Sequence, residues 1–162
     1  MKKLIVSCAL MVITLVSYAQ TYKMYSTRNY HNQLRLNTMT GEVQQIQDDG
    51  QSWEICSARE ASGDKVGRFC LYETQNMWTF ILLDLYNGRL WQVQYSTQDL
   101  DNLFCIPINK YELVSDNEKC IFSIQPLTSM YQYYLINDNT GDMWKFQWST
   151  KGDDYRWIEK FK

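Results

Sequence analysis

Leu83-Asp84-Leu85-Tyr86-Asn87-Gly88-Arg89-Leu90-Trp91-Gln92-Val93-Gln94 reads as a strand end, a tight turn and a second strand, and the chain writes it three times. The turn is legible from its chemistry. An Asn or Asp opens it through a side-chain oxygen, and a glycine accepts the positive φ that closes the hairpin. Leu36-Asn37-Thr38-Met39-Thr40-Gly41 and Ile136-Asn137-Asp138-Asn139-Thr140-Gly141 have the same form. The returning strand is Glu42 to Gln47 in the first copy, Arg89 to Gln94 in the second and Asp142 to Gln147 in the third.

Aligned on the three glycines, the segments 22–47, 69–94 and 122–147 match without gaps. Tyr25, Thr27, Asn29, Leu36, Gly41, Gln45 and Gln47 meet Tyr72, Thr74, Asn76, Leu83, Gly88, Gln92 and Gln94. A period of about fifty residues marks a repeat architecture. The repeats fall at about 21–62, 66–112 and 119–162 of one domain spanning 20–162. Each predicts four strands. In the first they are about Tyr22–Ser26, Tyr30–Asn37, Glu42–Gln47 and Ser52–Ser57. In the second they are about Phe69–Glu73, Met77–Asp84, Arg89–Ser96 and Leu103–Ile108. In the third they are about Cys120–Gln125, Met130–Asn137, Asp142–Ser149 and Tyr155–Phe161. Short strands between turn residues predict an all-β antiparallel chain.

Two architectures accept three four-stranded repeats: propeller-blade-like sheets, and a β-trefoil. Alternation along the strands separates them. In the second copy Trp78, Phe80, Leu82, Trp91, Val93 and Tyr95 share one face. Tyr131, Tyr133, Leu135, Trp144, Phe146 and Trp148 repeat that face in the third copy. The first copy carries His31, Gln33, Arg35, Gln44, Ile46 and Asp48 there, and keeps Tyr30, Leu34, Leu36 and Val43 on its other face. A blade inside a stack buries both faces, whereas an end blade shows one to water. The inequality therefore predicts an open array of blades rather than a closed trefoil.

The turn at Leu83–Trp91 resembles that of quinoprotein-type propeller repeats, in which Asp-x-x-Thr-Gly precedes a Trp. This chain has one residue fewer between Gly88 and Trp91, and three copies rather than the six to eight of a closed propeller, so no quinone or other cofactor is carried over. The whole repeat, with Thr74-Gln75-Asn76-Met77-Trp78 and Gly88 to Gln94, resembles uncharacterised exported repeat proteins of Bacteroidetes-type bacteria, a resemblance that implies no assigned activity.

Residues 1–19 read as a secretory signal peptide: Lys2 and Lys3, an apolar run from Leu4 to Val16, then Ser17-Tyr18-Ala19 with cleavage expected after Ala19. The expected location is secreted or periplasmic. A lipobox reading of Ile5-Val6-Ser7-Cys8 is disfavoured, because the apolar run continues past it. No later apolar run approaches the roughly 20 residues of a membrane span. With 16 basic and 18 acidic residues, net charge −2, the chain has no electrostatic signature of a nucleic-acid binder.

Of five cysteines, Cys8 lies in the leader. Four remain, and an exported chain favours their oxidation. Cys56 and Cys105 fall in fourth strands, and Cys70 and Cys120 open the following copies, so the expected pairs are Cys56–Cys70 and Cys105–Cys120. No CxxC or HxxxH spacing offers a metal site. His31 is the single histidine and falls on the polar face, with no Gly-x-Ser-x-Gly elbow in the chain. Asn137–Asp142 resembles the start of a calcium loop, but Trp148 stands where that loop needs a glutamate.

The aromatic residues carry the remaining functional signal. Trp78, Trp91, Tyr131, Trp144 and Trp148 are the candidate binding residues, since Trp and Tyr on a β surface stack on sugars or anchor proteins; the competing reading places them between blades. The expected function is a non-enzymatic binding or interaction module with a protein or glycan partner. A glycan-binding, lectin-like module and a small hydrolase are the alternatives. An exposed end blade also favours a homo-oligomer.

Overall fold

The repeated turn forms as its residues dictate. Asn37 Oδ1 accepts the N–H groups of Met39 and Thr40 at 3.0 and 3.2 Å, and Asn137 Oδ1 those of Asn139 and Thr140 at 3.0 and 3.1 Å. Asp84 Oδ1 accepts that of Tyr86 at 3.0 Å. Gly41, Gly88 and Gly141 sit at φ of 81°, 75° and 75°, where a side chain would be strained. The computed structural model describes residues 20–57, 63–115 and 121–161; the signal peptide expected over residues 1–19 lies outside them.

Around each turn the described chain forms one antiparallel sheet of four strands. The first holds β1 (Tyr22–Ser26), β2 (Asn32–Asn37), β3 (Val43–Gln47) and β4 (Ser52–Cys56), side by side in chain order. The second holds β5 (Phe69–Glu73), β6 (Thr79–Asp84), β7 (Leu90–Gln94) and β8 (Phe104–Pro107). The third holds β9 (Phe122–Pro126), β10 (Gln132–Asn137), β11 (Met143–Gln147) and β12 (Trp157–Lys160). The sheets are separate blades, not the shared barrel of a trefoil. No helix among the described residues is long and apolar enough to cross a membrane.

The second strand of each blade begins two residues later than expected. Thr27 and Asn29 explain this in the first blade. The Thr27 hydroxyl donates to the carbonyls of Asn29 and Asn32 at 2.7 and 2.8 Å, and the Asn32 N–H returns to the Asn29 carbonyl at 3.0 Å. Thr74 makes the same bonds to Asn76 and Thr79. Tyr30 therefore belongs to a turn. It is 81% exposed and stacks on His31, rather than joining the apolar face expected for it.

Two apolar layers hold the blades together. Leu34, Leu36 and Val43 of the first blade pack with Phe80, Leu82, Trp91, Val93 and Tyr95 of the second. Ile81, Leu83 and Leu90 on the second blade's other face pack with Tyr133, Leu135, Trp144, Phe146 and Trp148 of the third. Every residue of β6 is buried, as a strand covered on both faces requires. Each fully buried Leu, Ile, Val or Phe contributes about 1.5–3 kcal/mol. The end blades differ. Gln33 and Arg35 face water on the first, where Arg35 lies 5.5 Å over the Tyr22 ring. On the third, Tyr134, Ile136, Met143 and Lys145 form the outward face and are half-buried.

Polar bonds recur at, or within one residue of, the same register in each blade pair. The Phe69 N–H donates to the Thr38 carbonyl, and the Ile121 N–H to the equivalent Leu85 carbonyl, both at 2.9 Å. Gln45 reaches from the first blade to the second. Its Nε2 donates to the Ser96 carbonyl at 2.7 Å, and its Oε1 accepts the Ser96 N–H at 3.3 Å. Gln92 reaches from the second blade to the third, accepting the Ser149 N–H at 3.2 Å.

The disulfide corrects the expected pairing. Cys56 is bonded to Cys105, with Cα atoms 5.0 Å apart, so neither Cys56–Cys70 nor Cys105–Cys120 forms. The cause is the stacking of like on like: β4 lies against β8, which brings two fourth-strand cysteines together. Cys70 is a free, half-buried thiol 3.5 Å from the Tyr25 hydroxyl, and Cys120 lies outside the described residues. Burial, and then the contact with Cys70, push the Tyr25 phenol above its ordinary range.

Candidate functional site: three equivalent clefts

Where the third strand of each blade runs into its loop, a cleft opens at the same place in all three repeats. The largest, about 500 Å³, is in the second blade and is lined by Trp78, Gln94, Tyr95, Ser96, Asp99 and Asn102 among others. The third blade's, about 190 Å³, is lined by Tyr131, Gln147, Trp148, Ser149, Lys151 and Tyr155 with Thr150. The first blade's, about 300 Å³, is lined by its own Asn29, His31, Asn32, Gln47, Asp48 and Asp49 together with Thr97 of the second blade. Gln47, Gln94 and Gln147 are equivalent, as are His31, Trp78 and Tyr131.

One backbone pairing builds every cleft. The N–H groups of Asp48, Tyr95 and Trp148 donate to the carbonyls of His31, Trp78 and Tyr131, each at 3.1 Å. This places two side chains next to each other at the cleft. In the second and third blades they are rings: Trp78 and Tyr95 with centroids 5.3 Å apart, Tyr131 and Trp148 at 4.9 Å. In the first blade they are a hydrogen-bonded polar pair, His31 Nδ1 to Asp48 Oδ2 at 3.1 Å, with both side chains well exposed.

The next residue fixes the loop. Asp49 Oδ1 accepts the Gln51 N–H at 3.0 Å, Ser96 Oγ that of Gln98 at 3.4 Å, and Ser149 Oγ that of Lys151 at 2.9 Å. A side-chain oxygen bonding two residues on is a standard way to set a turn. Gln94 Nε2 then donates to the Asn102 carbonyl at 3.4 Å, and Gln147 Nε2 to the Tyr155 carbonyl at 3.0 Å. These glutamines therefore hold the far wall of the cleft against the strand.

The five candidate binding residues divide. Trp91 is 1% exposed, Trp144 6% and Trp148 0%, and all three pack between blades. The Trp148 Nε1–H donates to the Met130 carbonyl at 3.0 Å. Trp78 is half-buried and Tyr131 is 36% exposed, and these two present ring surface in equivalent clefts. Tyr155, 50% exposed, adds a further ring to the third cleft, with the Lys151 ammonium 5.8 Å from it. Among the described residues no hydroxyl or thiol hydrogen-bonds to the His31 ring. Chemically the second and third clefts offer an accessible aromatic face beside amide and hydroxyl groups.

Comparison of the chain with protein-family models, with curated proteins and with solved structures gave no match.

Proposed function

We propose that this chain is an exported, non-enzymatic binding module, and that its recognition sites are the three equivalent clefts, the second and third taking saccharides. The observation that supports this is the repetition of one cleft at one register, with a partly exposed ring beside a fixed glutamine in two of the three. A sugar ring presents an apolar face of C–H groups and a rim of hydroxyls. Trp78 or Tyr131 meets the first, and Gln94, Asp99 and Asn102 or Gln147 and Lys151 meet the second. The first cleft, with His31 and Asp48 in place of the ring pair and Asp49 in place of the serine, belongs to a different ligand chemistry.

The test is titration of intrinsic tryptophan fluorescence and of heat with a panel of soluble oligosaccharides. Binding at two sites per chain is expected, with Trp78→Ala and Tyr131→Ala each removing one. A panel without response, or a response untouched by both substitutions, overturns the saccharide reading.

A further inference from the structure

The blade-to-blade bonds follow a rule that the last blade breaks in a specific way. Gln45 and Gln92 stand at one repeat position and reach the following blade at Ser96 and Ser149. The third blade carries Lys145 at that position. The position that receives the glutamine is filled in the first blade by Asp49. Among the described residues no blade precedes it, yet its loop keeps the receiving conformation, through the Oδ1 bond to the Gln51 N–H that matches those of Ser96 and Ser149 to Gln98 and Lys151. The two free ends of the array thus differ from the interior by one cation and one anion, at the positions that meet in every interior contact.

We propose that the outward face of the third blade receives the first blade of a second copy of this chain, Lys145 taking the place of the glutamine and Asp49 that of the serine. The outward face supports this. Tyr134, Ile136 and Met143 are the repeat equivalents of the buried Ile81, Leu83 and Leu90, remain apolar, and are only half-covered. Phe161, 49% exposed, lies edge-on to Tyr134 and extends the same surface. Lys145 lies 5.8 Å from the Trp157 ring, on the same face. The contact is heterologous, so two arcs joined at both ends close a ring of six blades, and arcs that do not close continue as a chain. Gln33, Arg35 and Gln44 make the receiving face polar. The association is therefore weaker than either interior contact and sensitive to salt.

Sedimentation equilibrium and light scattering across a wide concentration range test it. The expected result is a mass of twice the chain, or a series of multiples, that grows with concentration and shrinks with salt. Lys145→Glu is expected to weaken association about tenfold or more, and the pair Lys145→Glu with Asp49→Lys to restore it. Lys145→Gln, which copies the interior contact, and Asp49→Asn, which keeps the turn bond to Gln51, guard against misfolding. Both are expected to leave circular dichroism unchanged and flatten the salt dependence. A chain that stays monomeric at every concentration, or a dimer indifferent to Lys145→Glu, overturns the proposal.

Discussion

Replacing Gln45 by leucine tests the blade-to-blade bond at a single side chain. Leucine nearly keeps the volume, so the cavity contribution is small and the polar groups decide the outcome. Three of them lose a partner: the Ser96 N–H, the Ser96 carbonyl and Asn32 Oδ1, which accepts from Gln45 Nε2 at 2.6 Å. A buried group left unpaired costs about 1–3 kcal/mol. Asn32 is 2% exposed and bears this in full, while Ser96 is half-exposed and recovers part from water. The sum is a loss of about 2–4 kcal/mol, a large share of the roughly 5–15 kcal/mol that holds a domain of this size. Gln92→Leu is expected to cost less, about 1–2 kcal/mol, because its Nε2 is buried without a partner among the described residues and its removal relieves one deficit. Lys145→Leu meets no following blade among the described residues and is expected to stay within about 0.5 kcal/mol. Urea unfolding followed by tryptophan fluorescence, with the disulfide intact and slopes compared, measures all three. Equal losses at the three positions, or no loss at Gln45, would refute the reasoning.

Other outcomes follow from the same structure. Cys56→Ser with Cys105→Ser opens a link across a sequence separation of 49 and is expected to cost about 4 kcal/mol in the chain-entropy account, read from the urea midpoint. Leu83→Ala, at a fully buried site between the second and third blades, is expected to cost about 2–5 kcal/mol, whereas its repeat equivalent Ile136→Ala on the outward face costs about half as much or less, by the same denaturation. The Tyr25 phenol is raised in the folded state, so its contribution is complete below the unfolded value of about 10 and is lost as pH climbs through the folded one. Stability measured against pH above 10 is expected to fall, and Tyr25→Phe is expected to remove that part of the fall.

Much of the fold was legible because turn chemistry leaves little choice. Asn37, Asp84 and Asn137 with their glycines fixed three hairpins, and alternation along the flanking strands gave the blade faces, including the polar outer face of the first. The cysteines were misread because nearness along the chain was weighted above nearness across blades. Cys56 and Cys105 both occupy fourth strands, and stacking of like strands is what joins them. Tyr30 was misplaced because the hydroxyl of Thr27 ends the loop later than alternation suggests. The clefts were not visible at all. Their equivalence rests on Asp49, Ser96 and Ser149, which share a side-chain oxygen and not an identity, and on backbone pairings that no alignment displays. Gln45 and Gln92 did stand out as a match, but their departure at Lys145 acquires meaning only once each is seen reaching the next blade.

The covalent link between β4 and β8 also has a mechanical consequence. A force applied at the two ends of the chain cannot extend the residues enclosed between Cys56 and Cys105, a separation of 49 positions. At about 3.3–3.6 Å per residue, roughly 160–175 Å of contour length is withheld from stretching. Under tension the third blade, whose described attachments to the second are apolar packing and hydrogen bonds, yields first, while the enclosed strands β5, β6 and β7 of the second blade stay tethered to β4 of the first until the bond is reduced.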